Sequence, residues 1–543
     1  MISRSLTPVP TAPDAIVIGS GPNGLVAANL LADAGWQVVV YEAAPVPGGA
    51  VRSAELTLPG FVHDVFSAFY PFAAASPVMR SLRLEEHGLL WCRSPLVLGH
   101  PTPGGPSAVL SMDRSVTEAS LEQFARRDGE QWRDLMAPWD RMSRPMLAAL
   151  LGPFPPLRAG LRAAVALRPT VLEAFVRTAL LPVRRLAEEQ FAGDGARLLL
   201  TGNALHADVA PEATASAFFG WLLAGMGAEV GFPVPQGGSG QLAAALVRRL
   251  ESRGGRVEVD ARVERVTVDG GRAVGVIVNG AAVQADRAVL ADVAAPALYG
   301  DLVGFEELPA RVHAAISRYE RGPSTVKVDW ALRASIPWTD PVLEGAGTVH
   351  IGDSMDELSE YAYHLATRQI PAHPFLLLGQ MSTADPTRSP PGTETAWAYA
   401  HVPQLADRDA AGQIGVGWCE RDCDAFVARM EERIEAHAPG FRDRIIGRHV
   451  LAPPDFESWN ANLVRGDTTG GTAQLHQQLV LRPIPGLGRA ETPIGRLYLA
   501  SASAHPGGGV HGAPGANAAR AAIAHDRLRH AADGLRSGWR SLT

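Results

Sequence analysis

The sequence is short of lysine. Lys327 is the only one in 543 residues, so 48 of the 49 basic residues are arginine. Codon bias can empty a chain of lysine, but it does not choose which position keeps one. Cysteine is scarce too. Cys92, Cys419 and Cys423 are too few for a disulfide framework, and this points to a reducing, cytoplasmic setting. The spacing in "WCERDC" is neither a CxxC redox pair nor half of a usual zinc site, so these read as ordinary thiols, and no metal site is expected. Positive charge is not in excess. A net charge of −7 argues against a general nucleic-acid binder. Prolines in "MISRSLTPVPTAP" occupy the place of a signal peptide's apolar region. The longest charge-free apolar run, "ATASAFFGWLLAGMGA" from Ala213 to Ala228, has 16 residues. It is shorter than the ~18 a membrane span needs, and it reads as a buried helix or pocket wall. Peripheral contact with a membrane is left open by these observations.

What is present is a globular composition, 46% apolar and 19% charged, in a chain too long for one core. Residues 14–42 read as strand, helix, strand: "DAIVIGS", "GPNGLVAANLLADAG" and "WQVVVYE", with Gly35 stopping the helix. A second α/β segment lies at 237–292. A third closes the chain with "GRLYLASAS", a glycine-rich turn and the helix "GANAARAAIAHDRLRHA". The expected fold class is α/β. It has a Rossmann-like dinucleotide domain built from 1–95, 235–300 and 465–543, and a discontinuous α+β substrate domain built from 96–234 and 301–464. The first substrate segment reads as mostly helical, and the second mixes strands such as "STVKVDWAL" with a helix near 424–437.

"VIGSGPNG" supplies Gly19-x-Gly21-x-x-Gly24 between a strand and a helix, the context in which this pattern is informative. The glycines permit the turn, the approach of a pyrophosphate and close helix–strand packing, and the helix start around Pro22 and Asn23 offers free N–H groups. Glu42, followed by Ala43, ends the second strand where an acid accepts from ribose hydroxyls. Two further features favour a flavin over a nicotinamide. The Gly48–Gly49 doublet is followed by Arg52, a cationic fork for phosphate or the flavin edge. Near the C-terminus, "HPGGGVHGAPGAN" carries His505, Pro506, Gly507, Gly508, Gly509, Gly512, Ala513 and Asn517. This loop can pass against a ring, and the helix after it points a positive end at the cofactor.

With these residues the chain resembles the flavoprotein superfamily of amine oxidases and phytoene desaturases, and within it the phytoene dehydrogenase-like oxidoreductases. The resemblance runs through "HDVFSAFYPFAAASP", "GFPVPQGGSGQLAAAL", "NANLVRGDTTGG" and the C-terminal loop, covering nearly the whole chain. It implies a glutathione-reductase-type, GG-doublet FAD domain. It also implies FAD as cofactor, Glu42 on the adenosine ribose, the backbone of Val263 at the adenine, and the 505–517 loop by the isoalloxazine and pyrophosphate. The chain has no CxxxxC redox pair and no second βαβ dinucleotide fingerprint, so electrons are expected to leave to oxygen, a quinone or another acceptor.

The expected reaction removes hydride and proton from a largely hydrophobic small molecule. The alternatives are an amine oxidase, an isomerase working with reduced flavin, and a flavin-binding interaction protein without a substrate. Candidate catalytic residues are Lys327, His511, His63 and Asp64. Lys327 and Asp329 share one face of a strand whose other face is apolar. The resemblance implies a lysine on such a strand that holds a water at the flavin. The competing reading is a surface lysine paired with Asp329. His206 reads as structural, and Phe69, Tyr70, Phe72 and Trp221 as pocket lining or plain core. The arginines of 157–186 read as a solvated face, with a lipid- or partner-binding surface as the alternative.

Overall fold

The computed structural model describes residues 12–156 and 169–540. One layer is a five-stranded, all-parallel sheet. Its order is Leu497–Leu499, Ala288–Ala291, Ala15–Ile18, Val38–Tyr41, Arg256–Glu258. Strands covered on both faces need apolar residues throughout, and AIVI, VVVY and AVLA meet that need. Ala15 and Val17 pack with the helices Pro22–Asp33 and Ala513–Arg540. Ile16 and Ile18 point the other way, onto an antiparallel three-stranded sheet formed by residues 263–284. The period of two puts successive side chains into different cores.

The second layer is a seven-stranded mixed sheet, ordered Ile445–Leu451, Ser324–Leu332, Glu394–Val402, Leu376–Gln380, Ala346–Ile351, Leu96–His100, Ala108–Leu110. The last two strands correct the expectation for residues 96–110: the start of the first substrate segment is sheet, added as an edge, and helices begin at Arg114. Val326, Val328, Trp330 and Leu332 pack under the helix Glu420–His437. The opposite face, carrying Lys327 and Asp329, is covered as well, and all nine residues of Ser324–Leu332 are buried. The surface reading of Lys327 therefore fails. That face is an inner wall.

The apolar run folds as the helix Ser216–Val230, buried nearly all round against Trp139 and the helix Asp194–Ala204. No helix among the described residues is long and apolar enough to cross a membrane. Residues 157–168 of the arginine-rich stretch lie outside the described residues. Beyond them, Arg177 pairs with Glu189 at 3.0 Å and Arg184 with Glu188 at 3.0 Å, the pattern of a solvated face.

Candidate active site

All strands of the parallel sheet point their carboxyl ends the same way, and ligands of such sheets bind there. Gly19, Glu42, Asp292 and Ser501 stand at or just beyond four of those ends, and all four line one cavity of 1320 Å³. The cavity runs from Val263 and Glu42, past the glycine loop and Arg52, to Lys327, Tyr399 and the helices Asp194–Ala204 and Ser216–Val230.

The near end is made of backbone. Gly19 sits at φ +90°, and a Cβ there would stand 2.8 Å from the Asp292 carbonyl oxygen. A Cβ on Gly21 would stand 2.5 Å from Asp292 Oδ2. Gly24 N–H donates to that same oxygen at 2.8 Å. Glu42 accepts from Ser20 N–H at 2.8 Å, from the Ser20 hydroxyl at 2.6 Å and from Ala44 N–H at 2.9 Å, which fixes its carboxylate at the cavity edge. Gly48 N–H donates to the Ser20 carbonyl at 3.1 Å, docking the glycine doublet on the first loop. The side-chain oxygen of buried Asn23 has no partner in the chain. A cradle too tight for side chains, an orphaned polar atom at a helix start and an acid at the second strand's end together fit a dinucleotide.

Of the expected cofactor residues, Gly19, Gly21, Pro22, Asn23, Glu42, Ala43, Gly49, Arg52, Val263, Pro506, Gly508 and Gly509 line the cavity. Arg52 donates to the Trp459 carbonyl at 3.0 Å and lies over the Phe66 ring. Gly24, Gly48, His505, Gly507, Gly512, Ala513 and Asn517 are not among its lining residues and stand behind the wall. His505 is buried against Phe154, its rings 5.6 Å apart.

The far end is made of buried charge. Lys327 Nζ donates to both oxygens of Asp329 at 2.5 Å, and lies 5.9 Å from the centre of the Trp397 ring. His63 Nδ1 stands 3.4 Å from Asp329 Oδ1, and His63 Nε2 meets the Thr57 hydroxyl at 2.7 Å. Burial works to raise the Asp329 pKa, but Lys327 first and then His63 outweigh it and hold it below the usual carboxylate value. Tyr399 faces Lys327 directly across the strand pair and stacks on Trp397 at 5.9 Å and 13°.

Two of the expected catalytic residues are corrected. Asp64 does not line the cavity. It is fully buried in a fork with Arg388 and also accepts from Ser239 N–H at 2.7 Å and the Ser53 hydroxyl at 2.9 Å, so its lone pairs are committed to holding the 237–240 turn. His511 is likewise inside the structure. Its Nδ1 accepts from Ala513 N–H at 3.1 Å and its Nε2 meets the Gly508 carbonyl at 3.2 Å, so it caps the last helix and closes the glycine loop. Burial pushes its pKa down to about 4. His63 also stands off the cavity wall, one residue behind Lys327, and reaches the site only through Asp329.

The family model for flavin containing amine oxidoreductases matches residues 23–395. The chain belongs to that family. This flavin-containing oxidoreductase, an FAD enzyme, is 28% identical over 545 residues to mouse (Mus musculus) pyridine nucleotide-disulfide oxidoreductase domain-containing protein 2, covering 93% of this chain and 92% of the relative. It is 26% identical to the lycopene-forming phytoene desaturase of Pseudescherichia vulneris, with 95% and 99% covered. It is 24% identical to a limonene dehydrogenase polypeptide of Castellaniella defragrans, with 93% and 94% covered. Among solved structures, putrescine oxidase bound to putrescine shares the fold at a TM-score of 0.59 and 18% identity, covering 94% of this chain and 98% of that one.

Sequence reasoning missed Asp292, although it ends "AVLAD" and a carboxyl end in a parallel sheet is the place to look. Burial raises its pKa to about 7, with the Gly24 N–H opposing and Glu42 adding to the rise. It also missed Arg482. This buried arginine donates to the Thr472 carbonyl at 2.8 Å, Gly470 at 2.9 Å and Ala502 at 2.8 Å, pinning two loops of the wall. No short motif announces such a knot. His206, read as structural, lines the cavity.

Proposed function

We propose that the enzyme removes a hydride from a C–H bond, and a proton from the neighbouring atom, of a largely hydrophobic small molecule, forming a C=C or C=N bond. The observation that supports this most is the continuity of one cavity from the dinucleotide cradle to the buried Lys327, between apolar helices. The cradle residues would hold FAD in the GG-doublet manner, Glu42 its ribose, the glycine loop its pyrophosphate, and Pro506, Gly508 and Gly509 its ring end. FAD bound there would supply the hydride acceptor, with oxygen, a quinone or another acceptor as the final electron sink.

The chain's own part is position, dryness and proton handling. Phe219, Leu222 and Leu223 offer an apolar wall that excludes water from the substrate. Lys327 reaches the cavity as a hydrogen-bond donor fixed by Asp329, with His63 and Thr57 behind it. It positions a water or a substrate atom at the reacting end. Asp329 keeps the lysine's charge compensated in a place where an unpaired ammonium would be costly. A second reading, oxidation of an amine, draws on the Trp397–Tyr399 stack beside Lys327, since aromatic faces attract cations.

Anaerobic mixing of the flavin-loaded enzyme with a panel of polyenes, cyclic terpenes and amines tests both. Bleaching by polyenes or terpenes supports the first reading, and bleaching confined to amines, with peroxide in air, supports the second. A yellow protein that none of them bleaches contradicts the first.

A further inference from the structure

One wall of the cavity departs from its apolar surroundings. Asn203 lies in the last turn of the helix Asp194–Ala204, and His206 follows just beyond its end. Both line the cavity, beside Ala207, Phe219, Leu222 and Leu223. Asn203 is 1% exposed. Its amide nitrogen donates to the Leu199 carbonyl at 2.8 Å, and its Oδ1, without a partner in the chain, is closed off from the cavity, so this side chain backs the wall. His206 Nε2 meets His350 Nε2 at 2.7 Å. Its Nδ1 has no partner among the described residues.

The pair fixes its own protonation pattern. Burial, with His401 nearby, holds the His206 imidazole down at about 3. Burial, with His206 and then His100, holds His350 well below its usual value, so both rings are neutral. One Nε2 must then donate and the other accept. His350 is fully buried, and its Nδ1 has no partner. A bare ring nitrogen there is cheaper than an orphaned N–H, since buried unpaired N–H groups are the rarer kind. His350 therefore carries its proton on Nε2 and donates it to His206. That leaves the His206 proton on Nδ1. The packing is tight enough to hold the arrangement: a Cβ on Gly202 would stand 2.5 Å from His350 Nδ1.

We propose that His206, held by His350, forms a subsite for a hydroxyl group on an otherwise hydrophobic substrate. The hydroxyl accepts from His206 Nδ1–H, and His350 sets the tautomer from behind. This rests on the cavity being the substrate site. A hydrocarbon placed there leaves the His206 N–H unpaired and is disfavoured.

The probes are perillyl alcohol and limonene, which differ by one hydroxyl, titrated into the flavin-loaded enzyme and followed by the shift of the flavin bands. The alcohol should bind about tenfold or more tightly than the hydrocarbon. His206→Leu should erase that preference, weakening the alcohol and binding limonene at least as tightly as before, and leave flavin content unchanged. Equal affinity, no binding of either probe, or a preference that survives His206→Leu overturns the subsite. The flavin spectrum and its bleaching by other compounds report separately on the oxidoreductase reading. Nitrogen-15 histidine spectra of the unmodified protein give a second test. His206, assigned by loss of its signals in His206→Gln, should show a protonated Nδ1. A protonated Nε2 on His206 overturns the proposal.

Discussion

The two ends of the cavity are built from different materials. The dinucleotide end is backbone: glycines with no room for a Cβ, N–H groups at a helix start, and one strand-end carboxylate. The reacting end is buried side-chain charge: Lys327 with Asp329, and behind it Asp64 with Arg388. A backbone cradle is damaged by adding atoms, whereas a buried ion pair is damaged by removing a charge. Substitutions of each kind at each end should therefore have opposite ranks.

The largest effect belongs to Gly21→Val. Its Cβ would meet Asp292 Oδ2 at 2.5 Å, in the space a pyrophosphate needs. The purified variant should carry almost no flavin, read from its absorbance, while a normal flavin content would remove the cradle from the account. Next is Asp64→Asn, which leaves the fully buried Arg388 uncompensated. Thermal or denaturant unfolding should show a loss of about 3–5 kcal/mol. A loss under ~1 kcal/mol would mean that Asp64 is free for chemistry after all.

Asp292→Asn comes third, and its effect depends on pH. The folded carboxyl titrates near 7, above its ordinary 3.8, so the folded state holds a proton that the unfolded state has released. Its contribution is present in full below pH 3.8 and is lost as pH rises through 7. The asparagine cannot ionise. In flavin-free protein the variant should thus gain on the wild type between pH 4 and 7, by a few kcal/mol at most, and hold that gain above. Parallel melts with no change in their separation across this range would contradict the burial argument. The smallest effect is expected at Cys419→Ser. The thiol is exposed, with only Asp422 as its partner at 3.2 Å, so stability should change by less than ~0.5 kcal/mol.

The same contrast decides what could be read in the sequence. The backbone end was legible because its parts are local. Gly19 to Gly24 and Glu42 fall within one strand–helix–strand unit, and hydrophobic pattern fixes its geometry. The reacting end depends on contacts across the chain. Asp64 meets Arg388 324 residues away, and nothing near "HD" distinguishes a structural carboxylate from a catalytic one. His511 reads as a base from its neighbours, yet two short contacts within its own loop consume both ring nitrogens. His206 shows the reverse case. It gains meaning only when the strand Ala346–Ile351 brings His350 up behind it. Lys327 was legible in part, because strand alternation gave its face, but only the fold showed that the face is an inner wall.

The central claim is that the one lysine serves the reacting end of this cavity. Stopped-flow measurement of the two half-reactions in Lys327→Met tests it most directly, using any substrate that bleaches the wild type. The variant should retain FAD and melt lower than the wild type, because Asp329 loses its buried partner, while flavin reduction or reoxidation slows by about a hundredfold or more. Wild-type rates in both half-reactions, with flavin bound, would contradict the account.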